Sequence, residues 1–196
     1  MQFLCFALFY ALLTMSLTVS AEESSKNPTL SSSILVLSQD DLFQKSNPGK
    51  EIIAIFEEKQ TALFLEAREI EQKFILEERD LTEKRLDLKP EEFQILADEF
   101  DQRVEATRKD RAEKDRSLQK NFNKWKKNFV QLVLPLVRNI MSESGAVAVL
   151  DTGNRGFVYD QKIDITQRLI FKLNEEFLNN PNILNQIISK NKKSVK

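Results

Sequence analysis

The sequence is short of the residues that most often carry chemistry. It has no histidine, and its one cysteine is Cys5, inside an apolar leader. If that leader is removed, neither residue remains. That excludes disulfides and thiol catalysis. It also excludes Ser-His-Asp triads and His or Cys metal sites. Glycine is scarce, with four residues, and there are five prolines. No charge of one sign dominates: 29 basic residues stand against 30 acidic ones, for a net charge of −1. The whole chain is therefore no polyanion binder, and nucleic acid is not an expected partner.

What is present is charge and helix-forming apolar residues. Charged residues make up 30% of the chain. High charge with Leu, Ile and Phe, and little Gly or Pro, points to long helices. Phe3 to Leu17 is almost wholly apolar and ends at Thr18-Val19-Ser20-Ala21. Small residues three and one positions before a cut mark a secretory signal, so residues 1–21 are expected to be cleaved after Ala21. An uncleaved anchor is the alternative, but the run is shorter than the ~20 residues that span a bilayer.

Residues 22–33 read as a flexible lead-in rich in Ser. Ile34-Leu35-Val36-Leu37 is a short apolar run suited to a buried strand, and Gln39 to Phe43 a short helical turn. Asn47-Pro48-Gly49 reads as a helix start with Asn47 as its cap. From Lys50 to Lys89 apolar residues recur at heptad spacing: Ile53, Phe56, Leu63, Ala67, Ile70, Phe74, Leu81 and Leu88. Gln60, Glu77 and Lys84 interrupt that stripe. Pro90 with Glu91 and Glu92 marks a reversal and a new helix. The second stripe runs Phe93, Ala97, Phe100, Val104, Leu118, Trp125 and Leu132, with Arg111 as its polar exception. Two helices of about forty residues joined by a short turn make an antiparallel arm, residues 49–135, on the order of 60 Å long.

Pro135 predicts a kink in the returning helix, and Gly145 ends it. Residues 146–150 and 157–159 read as two strands of a hairpin around Asp151 to Gly156. Asp164 caps a last helix whose Ile165, Leu169, Leu173 and Phe177 share one face. Residues 179–196 read as a polar, basic tail that is frayed. The arm is thus inserted between the strands of a small base, residues 34–48 and 136–178. The fold class is mainly α with a small β base. So small a core in one chain predicts completion by other copies.

At the base the residues resemble a known family, the periplasmic chaperones called Skp or OmpH. The resemblance spans roughly 34 to 178. It rests on Ile34-Leu35-Val36-Leu37 with Leu42-Phe43, on Ser46-Asn47-Pro48-Gly49-Lys50, on Ala146 to Asp151, on Phe157-Val158-Tyr159, and on Asp164-Ile165-Thr166. It implies a homotrimer in which strands of three subunits form a β body and three arms enclose a cavity. Ile34, Val36, Val147, Val149, Phe157 and Tyr159 would then build the shared base. It implies an ATP-independent holdase that keeps unfolded outer-membrane proteins from aggregating in the periplasm. No residues match a lipid-binding cluster, so contact with lipid or lipopolysaccharide is unassigned.

Within the arm, Phe64, Leu65 and Ile75 fall off the heptad stripe and are candidates to face a client. Arg103 and Arg108 open a basic stretch: Arg103 to Lys127 holds ten basic and four acidic residues. Such a stretch would steer acidic client segments. The plainer reading is a solvated helix face. Paired acids such as Glu57-Glu58, Glu77-Glu78 and Glu91-Glu92 lie on exposed helix without a pocket, so no enzyme activity, cofactor or metal is expected. No nucleotide-binding motif occurs. The rival reading is a structural coiled-coil spacer or adaptor of the cell envelope.

Overall fold

A computed structural model describes residues 34–153 and 158–189 of the chain. The proposed signal, the lead-in and Phe157 lie outside the described residues. The chain runs β1 (Ile34–Leu37), α1 (Gln39–Lys45), α2 (Asn47–Lys84), α3 (Pro90–Ser144), β2 (Ala148–Asp151), a 3-10 turn (Gln161–Ile163), α4 (Thr166–Asn179) and α5 (Asn182–Ser189).

β1 is buried on both faces through Leu35, Val36 and Leu37, as an uninterrupted apolar run demands. It pairs with β2 in parallel, with Ile34 opposite Ala148 and Leu37 opposite Asp151. This corrects the expected hairpin. Of the expected second strand, the described residues Val158 and Tyr159 are in no strand. Instead the chain passes to the far side of β1, where Val36 bridges Asp164 and the Ile165 amide donates to the Val36 carbonyl at 3.0 Å. A parallel pair needs a long crossover, and α1, α2 and α3 supply it. β1 is therefore flanked on both sides, whereas among the described residues β2 has a partner on one edge only.

α2 starts one residue earlier than Asn47 as a cap would allow. Ser46 is the cap, with its hydroxyl accepting from the Gly49 amide at 3.3 Å. Pro48 then sits in the first turn, where its missing N–H needs no partner. Asn47 is tied elsewhere, its amide donating to Asn174 Oδ1 at 2.7 Å. Gly49 is required by close approach: a Cβ there would lie 1.8 Å from the Phe43 carbonyl oxygen. α3 ends at Gly145, whose φ of 63° is the left-handed region that glycine adopts without strain. Pro135, where the sequence predicts a kink, lies inside α3, which is continuous across it.

The core gathers at one end of the long helices. Phe43 meets Phe122 and Phe129 edge to face at centroid distances of 6.1 and 5.1 Å, and Phe56 stacks on Phe122 at 4.2 Å. Ile52, Ile140, Leu169 and Leu173 are fully enclosed around them. The frayed tail is a second correction. Residues 182–189 form α5, which buries Ile183 and Ile187 against the core. Asn128, buried on α3, donates from Nδ2 to the Ile187 carbonyl at 2.7 Å. Among the described residues no buried side-chain polar atom is left without a partner.

Candidate functional site on the helical arm

No fully buried residue lies on α2 beyond Ile52 or on α3 before Leu118, and the last α2 side chain packed on the core is Phe56. Past those points the helices form the arm, and what they share is a narrow seam. On α2 the positions withdrawn from water are Leu63, Ala67, Ile70, Phe74, Glu77 and Leu81, alternating by four and three. That spacing keeps one stripe on one face. On α3 the matching positions include Phe93, Ala97, Phe100, Val104, Thr107 and Lys114. Phe74 and Phe100 meet edge to face at 5.7 Å across the seam.

Two ion pairs cross the seam. Lys114 Nζ lies 2.7 Å from Glu66 Oε1, and Arg103 holds Glu77 through both guanidinium nitrogens. Glu77, an interruption of the heptad stripe, is thus a cross-helix partner. The hydrogen bond from Arg103 holds the Glu77 carboxyl below its ordinary range, and the same bond raises the Arg103 guanidinium. Bonds to Glu66 and Asp110 likewise raise the Lys114 ammonium.

Phe64, Leu65, Ile75 and Leu76 are each more than half exposed. Phe64 and Ile75 are eleven residues apart, close to three helical turns, and so lie on one flank of α2. Leu65 and Leu76 repeat that relation further round. Ile75 and Arg108 share a groove between the helices, whose lining also includes Ile70, Phe74 and Val104. Phe64 lines a smaller groove toward the core, with Leu63, Arg111 and Leu118. Leu65 lines neither. Arg103 is exposed, but its charge is met by Glu77. Leu76, like Leu86 and Ile95, is an exposed apolar residue of the arm that the sequence reading omitted, although its spacing from Leu65 was available to mark it.

Five of the six residues expected at the base lie among the described residues. Val36 is buried in β1, Val149 is half-buried in β2, and Ile34 is partly exposed beside it. Val147 is 76% exposed just before β2. Tyr159 donates from its hydroxyl to Asp164 Oδ2 at 3.1 Å, a bond that raises its phenol above the ordinary range. Among the described residues no cluster of three or more His, Cys, Asp or Glu is placed to hold a metal. None of the described helices is long and apolar enough to cross a membrane.

No curated protein matches the chain. The structure resembles the crystal structure of a candidate outer membrane chaperone (OmpH-like) from Caulobacter crescentus, with a TM-score of 0.68 at 13% identity. The match covers 74% of this chain and 85% of that one. At such identity the likeness is one of fold. The sequence itself matches the family model for outer membrane protein (OmpH-like) over residues 33–173. That span holds β1, the whole arm, β2 and the turn into α4, and it establishes that the chain belongs to the OmpH-like family.

Proposed function

We propose that this protein is an ATP-independent periplasmic holdase that binds unfolded outer-membrane proteins and prevents their aggregation. The observation that carries the reading is the apolar set Phe64, Leu65, Ile75 and Leu76, left exposed on a helix otherwise covered in charge. An arm held together by its own seam has no internal use for these side chains. Apolar surface rimmed by polar residues marks an interaction site. Several modest contacts spread along a helix suit a holder that accepts many sequences and later releases them. The resemblance to a candidate chaperone supports the same reading.

The base is the place for assembly in this proposal. Among the described residues β2 is paired on one edge only, and Val147 and Leu150 beside it are exposed. Such an edge is a ready template for pairing with another chain. In a homotrimer joined there, three arms would surround a shared space, and residues 34–48 and 136–178 would act as the trimerisation base. The signal at 1–21 would deliver the chain to the periplasm.

The test is to dilute a urea-unfolded outer-membrane β-barrel protein into buffer with and without the purified mature chain, and to follow light scattering. Suppression near one trimer per client is expected. Replacing Phe64 and Ile75 together with Ser should weaken suppression while leaving the helical circular dichroism and melting temperature in place, because both side chains are already in water. Undiminished aggregation with the wild-type chain would sink the holdase and favour the envelope spacer.

A further inference from the structure

The groove on the side of the arm has a charge pattern that the overall composition hides. It encloses about 710 Å³, within the range of specific ligand sites. Its floor is the seam itself, from Leu63 and Ile70 to Phe74 and Val104. Ala67 on α2 and Thr107 and Arg111 on α3 also line it. The Glu66–Lys114 and Glu77–Arg103 pairs fix the helices near its two ends.

The rim is polarised along the arm. Toward the reversal at residues 85–89 it carries Glu78, Asp101 and Glu105, and no basic residue lines it there, while Glu71 and Arg108 lie level with one another midway. Only Glu105 of these takes part in an ion pair among the described residues, with Lys109 at 2.9 Å. Toward the core it carries Arg111 and Lys114 with Glu66 and Asp110. There Lys114 is shared by both acids, at 2.7 and 2.9 Å. One end is therefore net anionic, with Glu78 and Asp101 in no ion pair among the described residues, and the other is balanced.

We infer that this groove binds an extended apolar peptide segment flanked by basic residues, with the basic residues seated at the end nearest the arm's reversal. The inference rests on the holdase reading for its source of such segments, an unfolded polypeptide. The groove spans Leu63 to Glu78, about 22 Å of helix at ~1.5 Å per residue. An extended chain at ~3.3 Å per residue crosses that in about seven residues, so one short apolar run fills it. The apolar floor supplies affinity and the carboxylates select by charge. This reverses, for the groove, the preference for acidic segments that the basic stretch of α3 suggests.

The test uses the full mature chain and two dye-labelled synthetic peptides that share one alternating apolar core. One carries Lys flanks and the other Glu flanks, and binding is read by fluorescence anisotropy at low salt. The Lys-flanked peptide should bind about fivefold tighter or more, as two or three exposed ion pairs allow. Glu78→Lys with Asp101→Lys should abolish or invert that preference. Both residues are exposed, and circular dichroism checks that the helices persist. Glu57→Lys with Glu58→Lys makes the same charge change outside the groove and should leave the preference intact. Equal binding of the two peptides overturns the inference. So does loss of preference in the Glu57/Glu58 variant, which would trace selection to net charge. Aggregation suppression on the same samples separates the two readings. Suppression without peptide selectivity overturns the groove alone, and selectivity without suppression overturns the holdase alone.

Discussion

Arg103 and Glu77 meet across the arm as a fork, with Nη1 donating to Oε2 at 3.0 Å and Nη2 donating to the other carboxylate oxygen. The Lys114–Glu66 pair repeats the contact eleven residues away on both helices. An eleven-residue interval is close to three turns, so the two contacts sit on the same side of an antiparallel pair in one constant register. That register is what holds Phe64 and Ile75 on the groove flank.

Acid should loosen this end of the arm. The Glu77 carboxyl titrates below the ordinary glutamate value of about 4.3, because Arg103 hydrogen-bonds the ionised form. A depressed folded-state pKa gives stability that is present above the unfolded value and lost as pH falls through the folded one. The pair is intact at neutral pH and lost in a window below about pH 4.3. Amide hydrogen exchange around residues 74–80 and 100–106 should be slower in wild type than in Glu77→Gln at pH 7. The two proteins should converge in acid, after correction for intrinsic rates. Equal exchange in the two proteins at pH 7 would mean the fork does not hold the register.

Gly49 should tolerate no side chain. The Cβ of an alanine would press on the Phe43 carbonyl, which is backbone and has nowhere to move. Overpacking of this kind costs about 1–3 kcal/mol. Gly49→Ala should lower the unfolding free energy by that amount, read as a lower urea midpoint, although alanine favours a helix interior over glycine. A stabilised variant would show that α1 and the start of α2 can separate.

α5 should prove part of the folded core. Ile187 is 1% exposed, and truncating a buried isoleucine costs about 2–5 kcal/mol. Ile187→Ala should lower the denaturation midpoint accordingly. Asn128→Ala should also destabilise, because the Ile187 carbonyl loses its donor. A melting curve unmoved by Ile187→Ala would return residues 182–189 to a frayed tail.

Much of the arm was legible because its signal is local. Spacings of three and four place Leu63, Ala67, Ile70 and Phe74 on one stripe, whatever they face. Partners were not legible: Glu77 registers in the sequence only as a polar interruption, and nothing nearby identifies Arg103. The strands failed for a similar reason. Residues 146–150 and 157–159 look like a hairpin because they are neighbours, whereas β2 pairs with β1, more than a hundred residues away. α5 was missed for composition. Asn and Lys outweighed the Ile183 and Ile187 spacing, one helical turn, that carries its buried face. The exposed flank at Phe64 and Ile75 was readable as departures from the stripe. The acidic end of the groove was not, since it needs both helices in register.

The edge of β2 offers the cleanest test of assembly. Val149 is a tempting target, but it is half-buried against the core of its own chain, so Val149→Asp would damage the fold as well as any interface. Val147 is 76% exposed and packs on nothing that a charge would disturb. Val147→Asp should therefore leave the circular dichroism and the denaturation midpoint of the isolated subunit unchanged. If copies join along this edge, the carboxylate is buried in the shared layer without a partner, a cost of several kcal/mol. Native mass measurement should then find wild type as a trimer and the variant shifted toward monomer. Aggregation suppression should fall with the trimer population, since a single arm leaves no shared space between arms to hold a client. A trimer that survives Val147→Asp would move the interface away from the β2 edge, and a monomeric wild type would remove it altogether.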